Sequence, residues 1–262
     1  MRRTPADETS VAMCVLKMTL AYDGSRYSGW QVQNGPRTLQ GTLEAALADV
    51  TGESIRVVAS GRTDAGVHAY GQVVGFATES PLAIDVLKRA INASLPEDIA
   101  VLEISTAADD FHAIRDARSK RYRYVIHDAG VRDVFARKYC WRQAKKFDVA
   151  AMSRAAAALV GTHDFCSFQS TGAPRESTIR TVTELTVTRP DGMNQGMIVV
   201  EIEADGFLYN MVRVIVGTLV EVGRGAKTEQ WPEQVLAGQQ RSLAGPTAPP
   251  QGLFLVAVDY GD

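Results

Sequence analysis

The feature that most constrains the fold is a pair of predicted strands that follow each other with no helix between them. Residues 178–189 and 196–205 are both rich in β-branched side chains, and a Pro-Asp-Gly turn lies between them. Strands joined by a short turn pair antiparallel, whereas a βαβαβ order needs a long crossover after each strand. The pattern therefore favours an α+β protein in which helices cover a largely antiparallel sheet.

The other elements follow from hydrophobic periodicity and give both halves of the chain strands and two or more helices. Further strands are predicted for residues 14–22, 55–59, 71–78, 99–105, 119–128 and 252–260. Helices are predicted for residues 38–50, 84–95, 149–161, 207–223 and 228–237. Thr38 is the expected N-cap of the first helix. The fourth helix has a continuous apolar stripe, formed by Leu208, Met211, Val212, Ile215, Val216, Leu219 and Val220.

The domain organisation is predicted from the same pattern. Residues 1–12 are polar and aperiodic, so we expect a disordered N-terminal arm. Residues 13–115 form the first predicted α/β half, and residues 116–262 form the second, which begins with a basic strand. No secretory signal and no apolar run of about 20 residues is recognised, and we expect a cytoplasmic protein without a membrane span.

Charge is distributed unevenly along the chain, although its net charge is only −2. Residues 112–146 contain 11 Lys or Arg and three Asp, a net charge of +8, while the rest of the chain carries −10. This asymmetry indicates one basic surface facing a phosphate backbone. The alternative is a solvated strand and loop whose charges pair with acidic residues elsewhere.

The strongest local signal is the sequence SGRTDAGVHA at residues 60–69. Asp64 lies two residues after Arg62 in a glycine-containing loop, and a carboxylate beside a guanidinium suits a nucleophile or a base. The alternative is an Asp that caps a turn. Two other residues are candidates with similar alternatives. Tyr122 lies between two arginines, a pattern that suits a nucleic-acid surface; the alternative is that its ring faces the core. Arg213 is a charged residue in the middle of an apolar helix; the alternative is an ordinary surface arginine.

Several functional classes lack their motifs in this sequence. The four histidines are isolated, the three cysteines form no Cys-x-x-Cys pair, and we expect no metal site. The glycine-rich phosphate loops and the Gly-x-Ser-x-Gly elbow are absent, which argues against a nucleotide cofactor and against serine hydrolases.

Eight segments, taken together, resemble the tRNA pseudouridine synthase A family. They run in family order and cover nearly all of residues 13–260, and GRTDAGVHA is highly specific. The segments are YDGSRYSGWQ (22–31), SGRTDAGVHAYGQVVGF (60–76), NASLPEDIAV (92–101), DDFHA (109–113), KRYRYVI (120–126), GTHDFCSF (161–168), DGFLYNMVRVIVGTLVEVGRG (205–225) and GLFLVAVDY (252–260).

The resemblance implies two α/β halves joined into one continuous sheet with a cleft between them. It implies that Asp64 is the catalytic residue, that Tyr122 packs on the target base and that Arg213 pairs with Asp64. Leu253 matches an apolar residue of the base pocket, and Arg62 matches an arginine that contacts RNA and helps to displace the base.

The resemblance also implies a substrate and an assembly. The substrate is uridine at positions 38, 39 and 40 of the tRNA anticodon arm, and the enzyme is a homodimer that uses no cofactor. Two alternatives stay open: a catalytically silent RNA-binding protein on the same fold, and a metabolic enzyme that uses Asp64 on a small molecule.

Overall fold

A computed structural model describes residues 13–172, 177–190 and 196–261 of the 262-residue chain. The predicted arm of residues 1–12 and the Asp-Gly part of the predicted turn at 191–192 lie outside the described residues. The elements below are numbered in chain order.

Within the described residues, the strands and helices alternate irregularly along the chain. The strands are β1 (Cys14–Tyr22), β2 (Val58–Ala59), β3 (His68–Thr78), β4 (Ile99–Thr106), β5 (Ser119–His127), β6 (Trp141–Arg142), β7 (Gly161–Asp164), β8 (Ile179–Thr188), β9 (Met197–Ala204) and β10 (Leu253–Asp259). The α-helices are α1 (Leu39–Thr51), α2 (Ile84–Ser94), α3 (Val149–Ala156), α4 (Met211–Gly223) and α5 (Trp231–Gly238).

One sheet contains all of these strands, in the order β4-β1-β3-β10-β5-β9-β8-β7, with β2 paired to β3 and β6 paired to β5. Among the described strands, the pairings are antiparallel except for β3 with β10 and β5 with β6. Helices α1 and α2 pack together, and α3 packs on α4 and β8. The predicted α+β class with a mostly antiparallel sheet is therefore confirmed.

The last strand of the chain occupies the centre of this sheet. β10 pairs in parallel with β3 and antiparallel with β5, so it joins strands from the first and second halves of the chain. Because β3 and β10 are parallel, the loops that precede them lie at the same edge of the sheet. The division into residues 13–115 and 116–262 stays a prediction, since the ladder of hydrogen bonds runs through both halves.

Strand β5 has one buried face and one partly exposed face, in keeping with the alternation in its sequence. Tyr122, Tyr124 and Ile126 are buried, whereas Arg121 and Arg123 are partly exposed on the other face. Successive side chains of a strand point to opposite faces, so this pattern fixes which side of β5 faces the core.

Helix α4 begins later than its periodicity predicts. The apolar stripe is buried as expected, but the helix starts at Met211 rather than at residue 207. The reason is Asn210, whose φ of +62° is left-handed and cannot continue a right-handed helix toward the N-terminus. Helix α4 then packs closely at Gly217, where a Cβ would collide with the carbonyl oxygen of Pro246.

The boundaries of several other elements also differ from prediction, among them α5, which begins at Trp231 rather than at residue 228. The strand predicted for residues 55–59 is reduced to Val58–Ala59, and β3 begins at His68, three residues before the predicted start. Helix α3 ends at Ala156 and continues as a 3-10 turn to Leu159, short of residue 161. Thr38 caps α1 as predicted, its hydroxyl accepting from the amide of Gly41. None of the helices in the described part of the chain is long and apolar enough to cross a membrane.

Candidate active site

Three segments meet around the Asp64–Arg213 ion pair. They are the loop of residues 60–67 before β3, the segment before β10 and the start of α4. Arg213 Nη1 donates to Asp64 Oδ2 over 3.0 Å, in a charge-assisted hydrogen bond. The Asp64 side chain is 30% exposed and the Arg213 side chain 15% exposed, so the carboxylate stays accessible beside a largely buried counter-ion.

A buried polar network holds the loop of Asp64 against the sheet. The Ser60 hydroxyl donates to Gln72 Oε1 over 2.7 Å, and Gln72 Nε2 donates to the carbonyl of Gly61 over 2.9 Å. The hydroxyls of Tyr22 and Thr63 lie 2.8 Å apart. Burial raises the pKa of Tyr22 to about 12, so this phenol remains protonated at neutral pH. The loop is thus anchored on both sides of Arg62.

A glycine lets the same loop turn sharply next to the segment before β10. Gly66 has φ of +79°, in the left-handed region that glycine adopts without strain. A Cβ at Gly66 would also approach Pro250 Cγ to 3.2 Å. The amide of Val67 donates to the carbonyl of Asp64 over 3.1 Å and closes the turn that presents the carboxylate.

The Arg213 guanidinium is fixed by groups other than Asp64 as well. Its Nε donates to the carbonyl of Ala248 over 2.7 Å, and its Nη1 donates to Asn210 Oδ1 over 2.7 Å. The amide of Ala248 donates in turn to the carbonyl of Arg213 over 3.0 Å. Arg213 is therefore not the ordinary surface residue of the alternative interpretation, because its charged end is oriented on several sides.

Tyr122 lies close to this ion pair on the buried face of β5. It is 8% exposed, and its ring meets that of Phe207 edge-on at a centroid distance of 5.0 Å. Burial raises the pKa of Tyr122, and the negative charge of Asp64 raises it further. Of the two alternatives for Tyr122, the structure places its ring on the buried face of β5, opposite the face that carries Arg121 and Arg123.

Leu253 and Arg62 occupy contrasting positions. Leu253 is buried at the start of β10, directly opposite Tyr124 in the ladder and on the same face as Tyr122. Arg62 is exposed and does not pair with Asp64, so the guanidinium beside the carboxylate is that of Arg213 rather than that of its sequence neighbour.

The basic window of residues 112–146 is partly neutralised. Arg123 binds Glu201 through Nε and Nη2 at 2.8 and 2.7 Å, and Arg121 Nη2 donates to Glu184 over 2.7 Å and to Glu203. The alternative of pairing with acidic residues elsewhere thus holds for these two arginines. The remaining exposed cations of the window that follow β5 are Arg132, Arg137, Lys138, Arg142, Lys145 and Lys146.

Sequence reasoning missed three residues that shape this site: Tyr22, Gln72 and Asn210. One signal was available for Gln72, because a Gln in the middle of an apolar strand must find buried partners. No comparable signal exists for Asn210, whose contacts depend on where α4 begins. Among the described residues, no three His, Cys, Asp or Glu side chains come together in a way that could hold a metal ion.

The chain matches a family model described as tRNA pseudouridine synthase over residues 18–116 and 155–261. It is 49% identical to tRNA pseudouridine synthase A of Moorella thermoacetica over 251 residues, 95% of this chain and 100% of the relative. It is 46% identical to tRNA pseudouridine synthase A of Geobacillus kaustophilus over 248 residues, 94% of this chain and 95% of the relative.

Among solved structures, a chain in the crystal structure of a Cbf5-Nop10-Gar1 complex is similar over 79% of this chain and 54% of that chain. Its TM-score is 0.32 and its sequence identity 9%. The two curated relatives and the family model agree and extend over most of the chain. This chain therefore belongs to the tRNA pseudouridine synthase family.

Proposed function

We propose that this chain converts uridine to pseudouridine at positions 38, 39 and 40 of the anticodon arm of tRNA, with Asp64 as the catalytic residue. The observation that carries the proposal is the accessible Asp64 carboxylate, which accepts a 3.0 Å hydrogen bond from Arg213 in a chain of this family.

The reaction is an isomerisation within one nucleotide. The bond from the ribose to the uracil nitrogen breaks, the uracil turns, and a bond forms from the ribose to a uracil carbon. The proton on that carbon leaves and a proton is gained on the nitrogen, so no oxidant, reductant or energy source is needed. The protein must supply a group that acts at the ribose and a place for a base that has left its stack.

Asp64 is suited to act at the ribose, either by attacking the sugar or by removing a ribose proton. Both roles need an accessible carboxylate, and the Asp64 side chain is 30% exposed. Arg213 is the counter-ion that orients this carboxylate, and its low exposure strengthens the interaction, because water screens it less.

The base must be flipped out of the RNA before it can turn, at a cost of a few kcal/mol. We propose that Tyr122 and Leu253, which share one face of the sheet, contact the flipped uracil and replace part of its stacking. Arg62 is exposed in the loop of Asp64 and is proposed to contact the RNA and to help displace the base.

Binding of the rest of the tRNA is assigned to the exposed cations that follow β5. Phosphate contacts supply most of the affinity of such complexes. We further propose that the protein acts as a homodimer in the cytoplasm, as the family resemblance implies. A catalytically silent RNA-binding protein would need neither a carboxylate nor its counter-ion, so the Asp64–Arg213 pair favours an enzyme.

The experiment is the variant Asp64→Asn, which keeps the size and the accepting oxygen of the side chain but removes its negative charge. We expect pseudouridine formation in a transcribed tRNA to fall by several orders of magnitude. The dissociation constant for tRNA and the melting temperature should change little, because the loop carboxylate is accessible and most binding contacts lie elsewhere.

A matched control is Asp85→Asn, which removes an exposed carboxylate that pairs with Arg89 on α2. This variant should retain wild-type turnover. If the Asp64 variant folds well and still turns over tRNA, the catalytic assignment is wrong. If the wild-type protein binds tRNA but forms no pseudouridine, the silent RNA-binding protein is the better explanation.

A further inference from the structure

The residue that immediately precedes α4 has an unusual backbone conformation. Asn210 has φ of +62° and ψ of 7°, and among the described residues only Gln239 shares a positive φ without being glycine. Asparagine tolerates this conformation better than most residues, but glycine adopts it at lower cost. The backbone alone therefore does not explain why an asparagine side chain stands at this position.

The side chain of Asn210 contacts the guanidinium that holds Asp64. Arg213 Nη1 carries two hydrogens, and it donates one to Asp64 Oδ2 over 3.0 Å and the other to Asn210 Oδ1 over 2.7 Å. Because both bonds leave the same nitrogen, fixing one hydrogen also fixes the direction of the other. The shorter bond to Asn210 thus constrains the approach of Arg213 to the carboxylate.

The side-chain amide group of Asn210 is itself held in one orientation. Its Nδ2 donates to the hydroxyl of Ser170 over 3.1 Å, and the amide of Ser170 donates to the carbonyl of Tyr209 over 3.0 Å. A guanidinium can only donate, so the amide oxygen must face Arg213 and the amide nitrogen must face Ser170. Asn210 therefore accepts from Arg213 through Oδ1 and donates to Ser170 through Nδ2, and the contacts run in a continuous series from Ser170 to Asp64.

We propose that Asn210 is a positioning residue of the reaction, whose side-chain oxygen holds the Arg213 guanidinium against Asp64. The inference rests on the proposed function of Asp64 and adds a residue that does not touch the substrate. The left-handed backbone of Asn210 directs its side-chain amide over the first turn of α4 toward Arg213.

Two substitutions separate the side chain from the backbone. Asn210→Gly removes the amide but adopts the positive φ without strain, whereas Asn210→Ala removes the amide and adds strain. We expect the glycine variant to lose about tenfold to a hundredfold in single-turnover rate, since small displacements of catalytic groups have effects of this size. Its melting temperature and its dissociation constant for a transcribed tRNA should stay near the wild-type values. The alanine variant should lose the same rate and also melt at a lower temperature.

The matched control is Gln239→Gly, which makes the same backbone change at the end of α5, away from the proposed site. It should keep the wild-type rate. A second test, Ser170→Ala, leaves the Asn210 backbone untouched and should lower the rate by about threefold to tenfold, because the amide loses its orienting partner.

The outcomes distinguish this inference from the function on which it rests. An active wild-type protein whose Asn210→Gly variant keeps the full rate would overturn the positioning role, and so would a Ser170→Ala variant with an unchanged rate. A wild-type protein that forms no pseudouridine would instead overturn the proposed function. Loss of affinity for tRNA at an unchanged single-turnover rate would also contradict a positioning role.

Discussion

Gln72 connects the interior of the sheet to the loop of Asp64 through side-chain hydrogen bonds. Its side chain is fully buried on β3, where Oε1 accepts from the Ser60 hydroxyl over 2.7 Å and Nε2 donates to the carbonyl of Gly61 over 2.9 Å. A third contact, from Nε2 to the Tyr22 hydroxyl, is long at 3.4 Å. The substitution Gln72→Leu keeps much of the volume and removes these hydrogen bonds.

The expected loss of stability follows from the two short bonds. Loss of either short bond leaves its partner, Ser60 or Gly61, without a hydrogen bond in a buried or partly buried place, which costs about 1–2 kcal/mol of stability. Loss of the long contact to Tyr22 adds little. The free energy of unfolding should therefore fall by about 2–4 kcal/mol. At about 2 °C per kcal/mol for a chain of this size, the melting temperature should drop by about 4–8 °C.

Urea unfolding of the wild-type and variant proteins measures this loss directly, with equal m-values as the condition for comparing them. The control Gln234→Leu makes the same exchange at an exposed position of α5 and should change stability by less than about 0.5 kcal/mol. The Gln72 variant should also lose catalytic rate, since Ser60 and Gly61 directly precede the Arg62–Asp64 segment. A stability change no larger than that of the control would refute the account of the loop's anchoring.

Two further predictions concern the tRNA complex and the assembly. Replacing the exposed Arg137, Lys138 and Lys145 with Ala should reduce the log–log salt slope of tRNA binding, by about 0.7–0.9 for each lost phosphate contact. Arg123→Ala should leave the slope unchanged, because Glu201 already neutralises that guanidinium; equal slopes in both variants would contradict the assignment. Light scattering at micromolar concentration should give the mass of a dimer, and a fully active monomer would contradict the proposed homodimer.

Local patterns in the sequence are sufficient to predict most elements and the faces of several. The alternation in residues 119–128 is enough to place Tyr122 and Tyr124 on one face and the arginines on the other, because the period of a strand is a property of its own backbone. Thr38 caps α1 as expected, since a cap involves only residues three positions apart. The motif around Asp64 identifies the candidate catalytic loop and, through the family resemblance, its chemistry.

The tertiary structure decided what no local pattern contains. Asp64 and Arg213 are 149 positions apart. Asp64 lies in the loop before β3, and Arg213 binds Ala248 in the segment before β10; the parallel pairing of β3 with β10 puts these two segments at one edge of the sheet. Arg121 pairs with Glu184 and Glu203, which lie on other strands. A count of charges along residues 112–146 does not include these partners, so it overestimates the number of free cations on the surface.

The start of α4 illustrates the same division at a single residue. Periodicity extends the helix back to residue 207, because apolar side chains continue in register before Met211. The left-handed backbone of Asn210 makes the helix begin at Met211 instead. The hydrogen bonds of the Asn210 side chain with Arg213 and Ser170 form only once distant segments have packed. Propensity and periodicity act over a few residues, whereas the pairing of strands and of charges depends on which distant surfaces the folded chain brings together.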